Sequence, residues 1–273
     1  MSSIVSDIAV PAAPSNLADR LRSEVSDALT LVKRNLLHIP RTPELLIDVT
    51  VQPIMFVLLF RYVFGGAISV ANGSYVNFLM PGIFVQTLAF VGVTTGIAIA
   101  NDLQKGLIDR FRSLPMSRAA VLIAQTMTDL LRGALAILIM FICGLATGFR
   151  PEGSPLRWIL GLAVVFFFSF ALSWIGVLVG LLARSPDAVS GMMFIVIFPL
   201  TFASSAFVPT DSMPHWLRVF AENQPISVVI DQLRRAFLDQ SLNSSTWTSL
   251  AWSIGSTLIF FPAAVWMYRK RTE

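Results

Sequence analysis

The sequence predicts an all-α membrane protein. It reads as six transmembrane helices, an N-terminal amphipathic helix at the interface, a short cytoplasmic helix between spans 2 and 3, and an outer re-entrant helical segment before span 6. Three observations lead there. The 273 residues are 55% hydrophobic and only 13% charged, with 21 Phe and 6 Trp, whereas a soluble domain carries about 25% charged residues. The apolar runs reach the ~20 residues that a spanning helix needs, and they do not alternate in the segments of ~10 residues typical of a β-barrel. Lys and Arg, finally, are distributed unevenly between the connecting segments.

Residues 1–14, rich in Ser, Ala and Pro, are expected to form a disordered tail. They lack the basic start, apolar core and small-residue cleavage site of a signal peptide. In residues 15–44, Leu17, Leu21, Val25, Ala28, Val32 and Leu36 recur at helical spacing opposite Asp19, Arg22, Ser26 and Lys33. That pattern fits an amphipathic helix lying along the membrane surface, ended by Pro40 and Pro43. Residues 45–273 form the membrane domain. Its six spans are drawn at residues 45–64, 78–100, 119–148, 158–183, 188–208 and 247–268.

Positive charge orients the chain, because cytoplasmic loops carry the excess of Lys and Arg. With spans at those positions, one side collects 13 basic residues and the other 5, Arg61 and Arg132 at helix ends being left out. The richer side includes both termini, so both are placed in the cytoplasm. The net charge of +4 is thus a topology signal, and no nucleic-acid partner is expected.

The basic loop after span 2 stands out. Asp102 opens it, Leu107, Ile108, Phe111 and Leu114 fall on one helical face, and Lys105, Arg110, Arg112 and Arg118 flank them, with Gly106 and Pro115 punctuating the turn. Such a helix either rests against lipid headgroups or docks into a groove on a soluble protein, with Phe111 as apolar anchor and Arg110 and Arg112 at the rim. The loop after span 5 contains Pro214, Trp216, Leu217 and, beyond Pro225, the stripe Ile226, Val229, Ile230, Leu233 and Phe237. It reads as an outer amphipathic helix folded back into the headgroup region, with Trp216 at the interface. Its role is that of a passive cap or of an outward gate.

Polar residues within spans are costly and therefore informative. Asp48, Gln52 and Arg61 fall in the first span, Gln86, Thr87, Thr94 and Thr95 in the second, and Asp129 and Arg132 in the third. Asp129 and Arg132 are one turn apart and suited to neutralise each other. Gly92, Gly96 and Ala100 form a small-residue stripe for close helix packing, within the chain or across a dimer seam.

Catalytic chemistry finds no foothold. The two histidines, His38 and His215, fall at opposite faces under this topology, which disfavours a zinc pair or a Ser-His-Asp triad. Cys143 is the single cysteine, and no Gly-Lys dipeptide exists for a Walker A phosphate loop. Neither a metal nor a nucleotide is expected to bind this chain.

Four stretches together resemble the membrane subunit of type-2 ABC exporters, in particular the daunorubicin/doxorubicin-resistance permease group of actinobacteria. They are Pro43-Glu44-Leu45-Leu46-Ile47-Asp48 with Gln52-Pro53; Tyr75 through Met80-Pro81-Gly82-Ile83; residues 106–118; and Met213-Pro214-His215-Trp216-Leu217 with Asn223-Gln224-Pro225-Ile226 and Leu233-Arg234. The likeness runs over about residues 32–271. It implies an exporter permease for hydrophobic or amphiphilic compounds in a bacterial cytoplasmic membrane. ATP and Mg would be held by two copies of a separate nucleotide-binding subunit, and a second permease, identical or homologous, would complete the dimer. The basic loop would be the coupling helix, with Asp102 as its acidic start. Related permeases carry lipids, glycolipids or polysaccharides, which leaves those cargoes open. A passive channel or scaffold is the reading from a different class.

Overall fold

The computed structural model describes residues 43–66, 68, 70, 74–105, 118–238 and 244–272. Among them are eight α-helices and no strand. These are α1 (Pro43–Leu59), continued by a π-helical turn (Phe60–Phe64), α2 (Tyr75–Gln104), α3 (Arg118–Ala146), α4 (Pro155–Leu182), α5 (Pro186–Phe202), α6 (His215–Asn223), α7 (Pro225–Phe237) and α8 (Ser244–Thr272). The helix starts follow local chemistry. Proline stands in the first turn of α4, α5 and α7, where its missing N–H has no intrahelical partner to lose. The Ser185 hydroxyl caps α5 by accepting from the Ala188 N–H at 3.2 Å.

α2, α3, α4 and α8 are long and apolar enough to cross a bilayer, while Val51–Phe64 and Pro186–Phe202 are shorter apolar helices. Contacts at the helix ends sort the bundle. Gln104 at the end of α2 donates to the Arg184 carbonyl beyond α4, and Arg271 of α8 donates to the Leu182 carbonyl. At the opposite end Arg61 donates to the Thr147 carbonyl after α3, and Asn77 near the start of α2 exchanges two hydrogen bonds with the Arg150 backbone. The C-terminal ends of α2, α4 and α8 therefore share one end of the bundle.

Two helices stop at least two residues short of the spans drawn from the sequence, while the second and last run on to Gln104 and Thr272. The fifth stops at Phe202 rather than at 208. The Gln224 side chain, on the far side of the loop, donates to the Leu200 and Ala203 carbonyls at 2.6 and 3.0 Å. Ser227 accepts the Ser205 N–H at 3.1 Å. These distant groups satisfy the terminal backbone of α5 and let the chain turn away early. The third span ends at Ala146 instead of 148 because Gly148 takes φ +102°. The Phe149 N–H then reaches the Gly144 carbonyl at 2.7 Å, the bond pattern of a Schellman cap.

α2 is the central helix and touches α1, α3, α4, α5 and α7. In its apolar stretch 72% of the residues are buried, against 11% in α8, which leaves α8 on the periphery. The Gly92 and Gly96 stripe meets α4 rather than another chain. A Cβ on Gly92 would lie 2.9 Å from the Leu172 carbonyl oxygen, and one on Gly96 would lie 2.6 Å from that of Gly176. Ser169 of α4 donates to the Leu88 carbonyl at 2.7 Å and adds a polar tie.

The stripe Ile226, Val229, Ile230, Leu233 and Phe237 belongs to the core and does not face headgroups. α7 lies against α2, α4 and α8, and Phe237 fits among Phe84, Phe141, Phe149 and Trp158. An apolar stripe looks the same in sequence whether lipid or protein covers it.

Candidate functional site

Two polar constructions stand out in this apolar bundle. The first is a cavity of about 330 Å³ between α1, α2, α3 and α5. Its polar lining comes from Gln52, Gln86, Thr87, Thr94, Asp129 and Arg132. These residues are scattered over three spans in the sequence, and the packing of α1, α2 and α3 assembles them. Asp129 is 2% exposed. Its Oδ2 accepts from Thr95 at 2.9 Å and from Gln125 at 3.0 Å. Arg132 Nη1 stands 3.1 Å from Oδ1, so the two charges form the expected pair. The opposite wall is aromatic. Phe194, Phe198 and Phe202 recur every four residues along α5, their rings stacked at 4.9 and 4.3 Å between centroids. Phe56 and Phe90 complete it. Those rings were not singled out in the sequence, although an i, i+4 spacing of phenylalanines was there to be read.

The second construction holds α7 against the rest of the chain. Arg234 donates from Nη1 to Asp231 at 2.7 Å and from Nη2 to the Ser205 and Phe78 carbonyls at 2.8 and 3.2 Å. Its guanidinium lies 3.9 Å from the centre of the Phe78 ring, a cation–π contact. Burial pushes the Arg234 guanidinium down to about 10, so it stays charged at neutral pH. The Ser205 hydroxyl completes the clasp by donating to Asp231 at 3.0 Å. Of the expected outer-gate residues, Leu233 is fully buried and Pro225 starts α7. Pro214 caps the separate helix α6, which carries Trp216, 72% exposed, and the half-buried Leu217. The residues expected to form a gate thus divide between a buried clasp and an exposed helix. Ser205 and Asp231 were missed because nothing local in sequence pairs them with Arg234.

Asp102 lies half-buried in the last turn of α2. The expected coupling residues Gly106, Leu107, Ile108, Arg110, Phe111, Arg112, Leu114 and Pro115 lie outside the described residues, as do residues 1–42 and the side chain of Asp48. Among the described residues no group of His, Cys, Asp and Glu is placed to hold a metal ion.

Four helices long and apolar enough to cross a bilayer point, by length and composition, to an integral membrane protein. The ABC-2 type transporter family matches residues 27–238, and the chain belongs to that family. It is 33% identical over 247 residues to the daunorubicin resistance ABC transporter permease protein DrrB1 of Streptomyces coeruleorubidus, covering 90% of this chain and 87% of the relative. It is 27% identical over 215 residues to the doxorubicin resistance ABC transporter permease protein DrrB of Mycobacterium tuberculosis, covering 79% of this chain and 72% of that one. The chain is a transport permease and not an enzyme, and its family works with an ATP-binding subunit.

Proposed function

We propose that this chain is the membrane subunit of an ATP-driven exporter that moves hydrophobic or amphiphilic compounds out across a bacterial cytoplasmic membrane. The observation that carries the reading is the likeness, over nine-tenths of the chain, to a permease named for daunorubicin resistance. The cavity supports it, since an apolar space with a few polar groups suits such cargo. The six-span arrangement, with both termini in the cytoplasm, is supported by the Lys and Arg distribution and by the sharing of one bundle end by the C-termini of α2, α4 and α8. That end is also where the basic loop leaves α2, a suitable place for the coupling helix. Two nucleotide-binding subunits, carrying ATP and Mg, and a second permease, identical or homologous, complete the machine. ATP binding closes the soluble subunits, and the coupling helix passes the motion to the spans.

A lipid, glycolipid or polysaccharide cargo is the second reading. It is favoured by the half-exposed Phe194, Phe198 and Phe202 at the cavity edge, where a chain sliding from the bilayer would enter. Affinity capture of the tagged chain from its native membrane in mild detergent, read by mass spectrometry, tests the assembly. Recovery of a Walker-type ATPase supports the exporter. Its absence even after crosslinking would move the channel or scaffold reading to the front. ATP-driven efflux of a dye-like drug against that of a labelled lipid from reconstituted vesicles separates the two cargoes.

A further inference from the structure

We infer that the C-terminal end of α8 and the turn between α4 and α5 together bind the headgroup of an anionic phospholipid. The site concerns the bilayer around the chain and needs no assumption about cargo. Depth, charge and an apolar face point to it.

The depth is fixed by two tryptophans. Trp247 and Trp266 stand near opposite ends of α8 and are 73% and 59% exposed. At 1.5 Å per residue the nineteen positions between them span about 28 Å, close to the ~30 Å of a hydrocarbon core. Tryptophan collects at both membrane–water interfaces. Trp266 thus marks one boundary, and Lys270 and Arg271 follow about one turn later, at the level of the lipid phosphates.

The charge at that level is one-sided. Arg184, Lys270 and Arg271 are all exposed. Arg271 Nη2 donates to the Leu182 carbonyl at 3.4 Å, which brings the end of α8 to the segment that carries Arg184. Lys270 Nζ sits 5.4 Å from the centre of the Trp266 ring, a contact that keeps the ammonium at the interface. Among the described residues none of these three cations forms an ion pair. Asp187, three residues after Arg184, lies in the first turn of α5, where the helix N-terminus favours a negative charge. The other end of α8 differs, since the uncharged Ser244, Ser245 and Thr246 precede Trp247.

The apolar face selects a lipid over an acidic protein. Only 11% of the apolar stretch of α8 is buried. Leu258 and Ile259, about two turns before Trp266, are 69% and 66% exposed. An acidic protein surface would match the three cations but not the apolar helix that leads up to them. A phosphate with acyl chains attached matches both, and basic residues at this level draw anionic lipid.

The test holds the full chain in phosphatidylcholine nanodiscs and titrates in brominated phosphatidylglycerol or brominated phosphatidylcholine. Bromine quenches tryptophan on contact. Subtracting the signal of Trp266→Phe isolates Trp266, and subtracting that of Trp247→Phe isolates Trp247. Trp266 is expected to be half quenched at about tenfold lower mole fraction of the anionic lipid, a selectivity that two basic residues near the surface can supply. Trp247 should show no such preference. Arg184→Gln alters a side chain that makes no hydrogen bond among the described residues, and it should weaken the preference. Lys270→Gln together with Arg271→Gln should abolish it. Equal quenching of Trp266 by both lipids overturns the proposal. So does an equal preference at the two rings, the mark of diffuse attraction, or a preference that survives all three substitutions. If no lipid is selected and the same substitutions weaken capture of the ATPase, the cations belong to a protein interface and the proposal falls.

Discussion

Gly176 of α4 and Gly92 of α2 touch backbone to backbone, so closely that a Cβ on Gly176 would overlap the Gly92 carbonyl. The same holds one turn on, where a Cβ on Gly180 would overlap the Gly96 carbonyl. Lipid gives apolar helices little hydrophobic reason to associate, so close backbone approach and the dispersion it permits take over. This seam seats α2 at the centre of the bundle, and α2 in turn supplies Gln86, Thr87 and Thr94 to the cavity.

Gly176→Ala is expected to destabilise the chain by about 1–3 kcal/mol, because backbone rather than a flexible side chain must give way. Gly191 and Gly255 meet nothing within 4 Å of a built Cβ. Alanine at either should leave stability unchanged or slightly raised. Thermal unfolding in detergent distinguishes them, and equal midpoints for Gly176→Ala and Gly191→Ala would show that the seam is not tight.

Arg234→Lys tests the clasp on α7. Lysine keeps the charge but cannot reach Asp231 and the carbonyls of Phe78 and Ser205 together from one planar group. The loss expected is about 2 kcal/mol, the scale of a charged hydrogen bond plus a carbonyl left without its partner. Amide exchange in α7 should quicken, while exchange in the seam between α2 and α4 stays slow. Unchanged exchange in α7 would mean that its apolar face alone holds it.

The exposed helix α6 offers a pH test. Arg218 donates to Glu222 at 2.7 Å, Thr210 donates to it at 3.1 Å, and Arg218 also pairs with Asp211 at 2.7 Å. The Arg218 hydrogen bond holds the Glu222 carboxyl below its ordinary 4.5. A carboxyl lowered by folding favours the folded form above its ordinary value, and that preference is lost as the pH falls through the lowered one. Exposed pairs are worth little, so the effect is local. Protection factors of the α6 amides should exceed those of Glu222→Gln at pH 7 and converge with them as the pH drops below 4.5. A difference that persists in acid would assign the effect to shape rather than charge.

Much of this was legible in the sequence. Runs of apolar residues mark helices whether or not a neighbour is known, and Asp129 and Arg132 announce their pairing by being three residues apart. What stayed hidden depends on partners far along the chain. α5 ends at Phe202, where the Gln224 side chain takes up the Leu200 and Ala203 carbonyls and Ser227 accepts the Ser205 N–H just beyond. The buried face of α7 was read as a membrane surface because lipid and protein interior select the same side chains. The cavity needed α1, α2, α3 and α5 side by side before Gln52, Gln86 and Asp129 became one lining.

The basic loop after α2 carries the last prediction. Phe111 is the apolar residue flanked by Arg110 and Arg112, the pattern of an anchor seated in a partner's groove with charges at the rim. Phe111→Ala removes the anchor, and Arg112→Glu reverses a rim charge. Neither change touches a spanning segment, so membrane insertion and thermal stability of the isolated chain should match wild type. ATP-driven efflux from vesicles containing both subunits should fall by about tenfold or more, because truncating a central anchor costs about 2 kcal/mol or more of binding. Capture of the ATPase should weaken in parallel for Phe111→Ala. Full transport by both variants would remove the coupling role from this loop, even with the rest of the exporter intact.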